Sequence, residues 1–270
     1  MTANTTPSKR ELISTFQKNA LNGASKIGAI TAYKKSYNLD DNEIEWLIEA
    51  CNFNSEPKNI DYLKFYNNPI TKRALEIRNQ HVQLYTIPNF LTKNDCKLLT
   101  AIIEQESKPA TLHKEGGRDE RYHSENRTSS TVTLSYHDHD FYLKIDRKIT
   151  EVMDLHPFSG EAMHGQKYEI GEFYKEHNDY FIPSELETYC CWMGQRTWTT
   201  MLYLNDVEEG GETYFPSIDL KLKPTEGTLI IWNNLNKDGS NNIYSRHEAL
   251  PPISGKKYII TKWWRSWNIL

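Results

Sequence analysis

In the run Tyr168-Glu-Ile-Gly171-Glu-Phe-Tyr174-Lys-Glu-His177-Asn-Asp179, an imidazole and a carboxylate stand two positions apart. Side chains on an extended strand repeat every second position, so His177 and Asp179 share a face. A second imidazole from a distant strand would complete a facial set of two histidines and one carboxylate. That donor set suits non-haem Fe(II) and leaves positions open for substrate and oxygen. His247, in Ser245-Arg-His247, is the candidate, and Lys257 follows ten positions later. His247 lies 68 positions after Asp179, room for about four or five strands of ordinary length. An HxD pair by itself is common by chance. The ordered series His177, Asp179, His247 and Lys257, with strand-like runs between, demands a β fold that brings both ends of a long segment to one point.

The surrounding residues resemble a known family. Gly194-Gln-Arg196-Thr-Trp-Thr199-Thr-Met-Leu-Tyr203-Leu-Asn-Asp206-Val-Glu-Glu-Gly210-Gly211-Glu-Thr213-Tyr-Phe215-Pro216 is similar to a barrel strand and the GGxTxFP turn after it in the prolyl 4-hydroxylases. Those enzymes belong to the Fe(II)- and 2-oxoglutarate-dependent dioxygenases. Gly227-Thr-Leu-Ile-Ile-Trp232 and Thr261-Lys262-Trp263 match as well, and a weaker lead-in starts at His81. The resemblance implies a mainly β catalytic core, a double-stranded β-helix or jelly roll, with supporting helices. It places Fe(II) on His177, Asp179 and His247, with O2 at an open position and ascorbate as reductant. Lys257 has the spacing from His247 found in collagen-type enzymes, and its ammonium would meet the distal carboxylate of 2-oxoglutarate. A buried lysine without such a partner would be costly. Tyr168 matches an earlier active-site tyrosine, and Thr199 is a further hydroxyl for the same carboxylate. Tyr174 stands where relatives place a tyrosine facing cosubstrate or substrate. Arg196 matches an arginine that holds the peptide, and Trp232 a tryptophan near the metal. The implied reaction is hydroxylation of a proline in a peptide or protein, with 2-oxoglutarate converted to succinate and CO2. The same machinery acting on a free amino acid, and a catalytically silent binding protein on the same barrel, are the alternatives. Pro251-Pro252 stands where collagen-type enzymes often have Cys-Pro, so long collagen chains are not implied as substrate.

Composition narrows the class. An apolar content of 38% with 12% aromatic residues supports a globular chain with a wide aromatic core. A net charge of -4, with lysine and arginine spread along the chain, gives no basic stripe for nucleic acid. Four cysteines, Cys51, Cys96, Cys190 and Cys191, lack the density and spacing of a disulfide framework. The polar N-terminus and the absence of a long apolar run point away from a signal peptide or membrane span. The expectation is a cytoplasmic protein.

Residues 1–80 read as a helical N-terminal region, ahead of a catalytic domain over 81–270. Apolar spacing predicts helices over Glu11–Leu21, Ser25–Ser36 and Asp40–Cys51. They are either a cap on the barrel or a single, faintly Sel1-like unit, too few for a solenoid. Thr92, with Asp95 three residues on, predicts the N-terminus of a helix running to Glu106. The polar stretch 107–126 is either disordered or a lid. Arg127–Leu134 reads as a strand resembling the family's RxS strand, and Phe141–Leu155 as a helix. His137-Asp-His139-Asp140 invites a second metal site; a polar turn before that helix is the preferred reading.

Overall fold

The computed structural model describes residues 34, 39–50, 63, 66–67, 74–113, 121–122, 125–136, 138–155, 159–185 and 194–266. Its strands in chain order are β1 (Leu75–Glu76), β2 (Leu84–Ile87), β3 (Lys108–Pro109), β4 (Leu112–His113), β5 (Arg121–Tyr122), β6 (Ser130–Leu134), β7 (Met163–Tyr168) and β8 (Tyr174–His177). After these come β9 (Arg196–Tyr203), β10 (Glu209–Gly210), β11 (Thr213–Phe215), β12 (Leu220–Leu222), β13 (Leu229–Asn233), β14 (His247–Ala249), β15 (Pro252–Ser254) and β16 (Lys257–Arg265). An eight-stranded sheet runs β1-β2-β13-β9-β16-β7-β6-β3, and a four-stranded sheet runs β12-β11-β14-β8. Five described strands separate His177 from His247, and the long excursion returns the chain to pair β14 antiparallel with β8.

Strand β9 explains why the large sheet is the frame. Its sequence, Arg196-Thr-Trp-Thr-Thr-Met-Leu-Tyr203, is β-branched and aromatic, and every residue after Arg196 is buried. Trp198 and Leu202 enter an outer core with Leu99, Ile103, Ile145, Ile149 and Met153. Met201 and Tyr203 enter the inner core between the sheets, with Tyr168, Ile230, Trp232, Ile259, Phe215 and Ala249. Alternation along one strand thus separates a helix-covered face from the face that carries the chemistry.

Helices Lys93–Glu106 and Asp140–Met153 supply the outer cover. Thr92 caps the first, its hydroxyl accepting from Asp95 N at 3.1 Å. His139 caps the second, Nδ1 accepting from Phe141 N at 3.0 Å, which gives this histidine a structural use. Lys262, wholly buried, fastens that helix to the barrel by donating to Asp146 Oδ1 at 2.6 Å and to the Glu161 carbonyl at 2.9 Å. In the turn before β11, Gly210 and Gly211 have φ of 78° and 74°, as their sequence position predicts.

The helix expected over Asp40–Cys51 is present as Asp41–Ala50. It opens on a reciprocal cap, Glu43 N donating to Asp40 Oδ1 at 2.8 Å and Asp40 N to Glu43 Oε2 at 2.9 Å. The helices expected over Glu11–Leu21 and Ser25–Ser36 lie outside the described residues, apart from Lys34. The large sheet begins at Leu75, ahead of position 81. Within 107–126, β3 joins the edge of the large sheet and β4 pairs with β5; residues 114–120 and 123–124 lie outside the described set. No helix among the described residues is long and apolar enough to cross a membrane.

Candidate metal centre

His177 and His247 are register partners across the β8–β14 pair, so both imidazoles leave neighbouring backbones on one face. Asp179 follows two residues after His177 and turns the same way. One donor atom from each of the three residues falls within 4.8 Å of the others. His177 Nε2 lies 3.9 Å from Asp179 Oδ1, and His247 Nε2 lies 3.8 Å from Asp179 Oδ2.

The backbone sets the tautomer of both rings. His177 Nδ1 is 2.8 Å from the Lys175 carbonyl and His247 Nδ1 is 3.0 Å from the Ser245 carbonyl. A carbonyl only accepts, so each Nδ1 carries the proton and each Nε2 keeps a lone pair for a metal. Burial, with His247 alongside, pushes the His177 imidazole down to about 3. Burial pushes the Asp179 carboxyl up, but His247, His177 and Arg196 and the Thr199 hydrogen bond outweigh it, leaving it below the usual range. A neutral His177 facing an ionised Asp179 has the protonation states that a divalent cation needs. The donor set fits Fe(II).

Aromatic rings hold the histidines. Tyr174 stacks on His177 with centroids 3.6 Å apart and planes at 14°, and the Arg127 guanidinium lies 4.8 Å from the centre of the Tyr174 ring. Trp232 meets His247 edge-on at 4.8 Å, backed by Phe215 at 5.6 Å from the indole. Trp232 is therefore in contact with a candidate ligand, and its buried Nε1 has no hydrogen-bond partner among the described residues.

Lys257 occupies the inner face away from the histidines. It is 0% exposed, and its Nζ has no hydrogen-bond partner among the described residues. The ammonium lies 5.1 Å from the centre of the Tyr168 ring and 5.7 Å from that of Tyr203. Burial pushes its pKa down to about 7, opposed by Glu212. Tyr168 donates to Gln166 Oε1 at 2.8 Å, and burial raises its phenol to about 12, so it stays protonated.

One expected role needs correction, and a second residue has partners the sequence did not show. Thr199 was expected at the distal carboxylate, but it sits at the metal end, opposite Trp263 on β16. Trp263 is six residues from Lys257, about 20 Å of strand. Its hydroxyl donates to Asp179 Oδ2 at 2.7 Å and so has no proton left for a ligand carboxylate. Thr213, quoted in the sequence only as part of a turn, is the buried hydroxyl beside Tyr203, 2.8 Å from that phenol. Arg196 was expected to match an arginine that holds the peptide. Its Nε and Nη2 clamp Glu161 at 2.7 and 2.8 Å, while Nη1 lies 3.5 Å from the Asp179 carbonyl. Arg265 Nη1 reaches the same carboxylate at 2.8 Å. Glu161 is thus a buried anion that the sequence reading missed. The only available signal was one acid in the small and apolar run Ser159-Gly-Glu-Ala-Met163.

Comparison with known proteins agrees with this geometry. Residues 163–265 match the model of the 2OG-Fe(II) oxygenase superfamily. The chain is 31% identical over 198 residues to probable prolyl 4-hydroxylase 9 of Arabidopsis thaliana, covering 66% of this chain and 67% of the relative. It is 30% identical over 202 residues to prolyl 4-hydroxylase 13 of the same plant, covering 68% and 71%. The viral collagen prolyl hydroxylase of Paramecium Bursaria Chlorella virus-1, solved as its 2OG complex, aligns with a TM-score of 0.53 and 26% identity, covering 67% of this chain and 94% of that one. The chain belongs to the prolyl 4-hydroxylase family of Fe(II)- and 2-oxoglutarate-dependent dioxygenases.

Proposed function

We propose that this chain hydroxylates a proline residue, at C4, in a peptide or protein. Lys257 is the observation that carries the reading. An ammonium buried without a hydrogen bond among the described residues, its burial outweighing the Glu212 charge, is expensive, and a ligand carboxylate supplies both bond and charge. It stands on the inner face of the barrel that also bears the His177, Asp179 and His247 cluster, the arrangement required to hold a dicarboxylate by both ends.

When bound, Fe(II) with 2-oxoglutarate and O2 supplies oxidative decarboxylation to succinate and CO2 and the insertion of one oxygen atom into a C–H bond. The protein contributes position and dryness. His177 Nε2, His247 Nε2 and the Asp179 carboxylate hold the metal. Lys257 holds the distal carboxylate, with the Tyr168 ring forming the floor beneath its ammonium. Tyr174 and Trp232 fix the two imidazoles in plane. A peptide substrate is supported by membership of a family named for peptide prolines and by the likeness to a collagen prolyl hydroxylase. Ascorbate as reductant and a cytoplasmic location belong to the same proposal; the first rests on the family alone, the second on composition.

Purified protein should be incubated with Fe(II), ascorbate and 2-oxoglutarate, alone and with proline-rich peptides or free proline. Succinate formation and a mass gain of one oxygen on a peptide proline are expected. Oxygen added to free proline instead would identify a small-molecule hydroxylase. No succinate under any condition would identify a silent binder and overturn the enzymatic reading.

A further inference from the structure

The Asp179 carboxylate is held from behind by two neutral side chains in series. Asp179 Oδ2 accepts from Thr199 Oγ1 at 2.7 Å, and Thr199 Oγ1 accepts from Asn234 Nδ2 at 2.9 Å. The directions follow from chemistry. Thr199 has one proton, which goes to the ionised carboxylate, so it can only accept from Asn234, and the amide must present its NH2. Thr199 and Asn234 are both fully buried, and Asp179 nearly so. Among the described residues no donor reaches Asp179 Oδ1.

Asn234 is also a junction of the backbone. Its N donates to the Thr197 carbonyl at 2.8 Å, and its carbonyl accepts from Asn242 N at 2.9 Å. The latter bond closes the base of the loop between β13 and the turn Ile243–Ser245, which leads directly into His247. One residue therefore ties, by its side chain through Thr199, the carboxylate delivered by the β8 side and, by its backbone, the loop that delivers the second imidazole.

We infer that Asn234 and Thr199 are positioning residues, a two-step donor relay that fixes the rotation of the Asp179 carboxylate by holding its Oδ2. The inference rests on the reading of His177, Asp179 and His247 as the metal site. Without the relay the carboxylate can rotate about its terminal torsion, which is broad and roughly two-fold. Removal of such supporting hydrogen bonds weakens metal binding without removing a ligand.

The test is titration of the metal-free full chain with Co(II) alone, following affinity by calorimetry and ligand geometry by the visible absorption of the bound ion. Thr199→Val should weaken Co(II) by about tenfold or more and alter the spectrum, and Thr199→Ser should restore both. Asn234→Ala should give a smaller loss and Asn234→Asp, which has the same shape but no donor, a larger one. Both Asn234 variants keep the backbone bonds of the junction, and circular dichroism checks that they fold. Because Asn234 acts through Thr199, the double variant Thr199→Val/Asn234→Ala should bind no worse than Thr199→Val. If Thr199→Val binds Co(II) with wild-type affinity and spectrum, or if the two losses add in full, the relay is overturned. If the wild-type chain itself binds no Co(II) while remaining folded, the metal-site reading fails first and the relay with it.

Discussion

Lys257 and Tyr168 face each other directly across the β16–β7 pair, and the ammonium lies 5.1 Å from the centre of the phenol ring. The ring gives the cation a polarisable floor but no hydrogen bond. A carboxylate arriving from the metal side would make the missing charge-assisted bond, worth about 1.5–3 kcal/mol. Lys257→Ala should therefore raise the 2-oxoglutarate requirement by about 10- to 100-fold. Its Co(II) affinity in the absence of 2-oxoglutarate should equal that of the wild type. Calorimetric titration of each ligand separately distinguishes this result from a general collapse of the site.

The same lysine makes cosubstrate binding depend on pH. Burial holds the free ammonium down to about 7, and a bound carboxylate favours the charged form and raises it. Below about pH 6 the free site is already protonated and binding should take up no proton. Near pH 8 most free sites are neutral, so binding should take up close to one proton, and affinity should fall as pH rises. Calorimetry in buffers of different ionisation enthalpy measures the uptake. Lys257→Ala should abolish it.

Glu161 should be a main contributor to acid stability. Burial raises its carboxyl, but Arg196 and Arg265 more than offset this and pull it to about 2. A folded-state value below the unfolded one, near 4.3 for glutamate, gives stabilisation that is full above the unfolded value and lost as pH falls through about 2. Glu161→Gln removes the counter-charge of the buried Arg265 and the half-buried Arg196 and should cost about 3–5 kcal/mol near neutral pH. Denaturant unfolding at several pH values should show a flatter acid limb for the variant than for the wild type.

The barrel was legible because its strands are continuous runs rich in β-branched and aromatic residues. Thr199 to Tyr203 and Tyr258 to Trp264 show it plainly, and the ordered ligands gave the direction of closure. Register was not legible. Arg265 and Arg196 are opposed across β16 and β9, a like-charge pair that demands an anion, yet only the folded pairing shows the need that Glu161 meets. Thr199 was misplaced for the same reason. Its distance from Lys257 depends on which residue of β16 it faces, and residue type alone made it look like a ligand hydroxyl. Asn234 carried no signal at all, since an asparagine after a strand reads as a turn residue.

The stack on His177 separates holding a ligand from being one. Tyr174 lies 3.6 Å from the imidazole with nearly parallel planes, and the Lys175 carbonyl fixes the ring's other edge at 2.8 Å from Nδ1. His177→Ala removes one of three ligands and should abolish both Co(II) binding and succinate formation. Tyr174→Phe keeps the aromatic face, so Co(II) affinity should match the wild type even if hydroxylation slows through lost contact with substrate. Tyr174→Ala leaves the imidazole held on one edge only, and Co(II) affinity should fall while its binding stoichiometry stays unchanged. Equal Co(II) affinities in Tyr174→Phe and Tyr174→Ala would show that the hydrogen bond to the Lys175 carbonyl orients His177 unaided. Titrations of the metal-free proteins with Co(II), run alongside succinate assays, decide between the two.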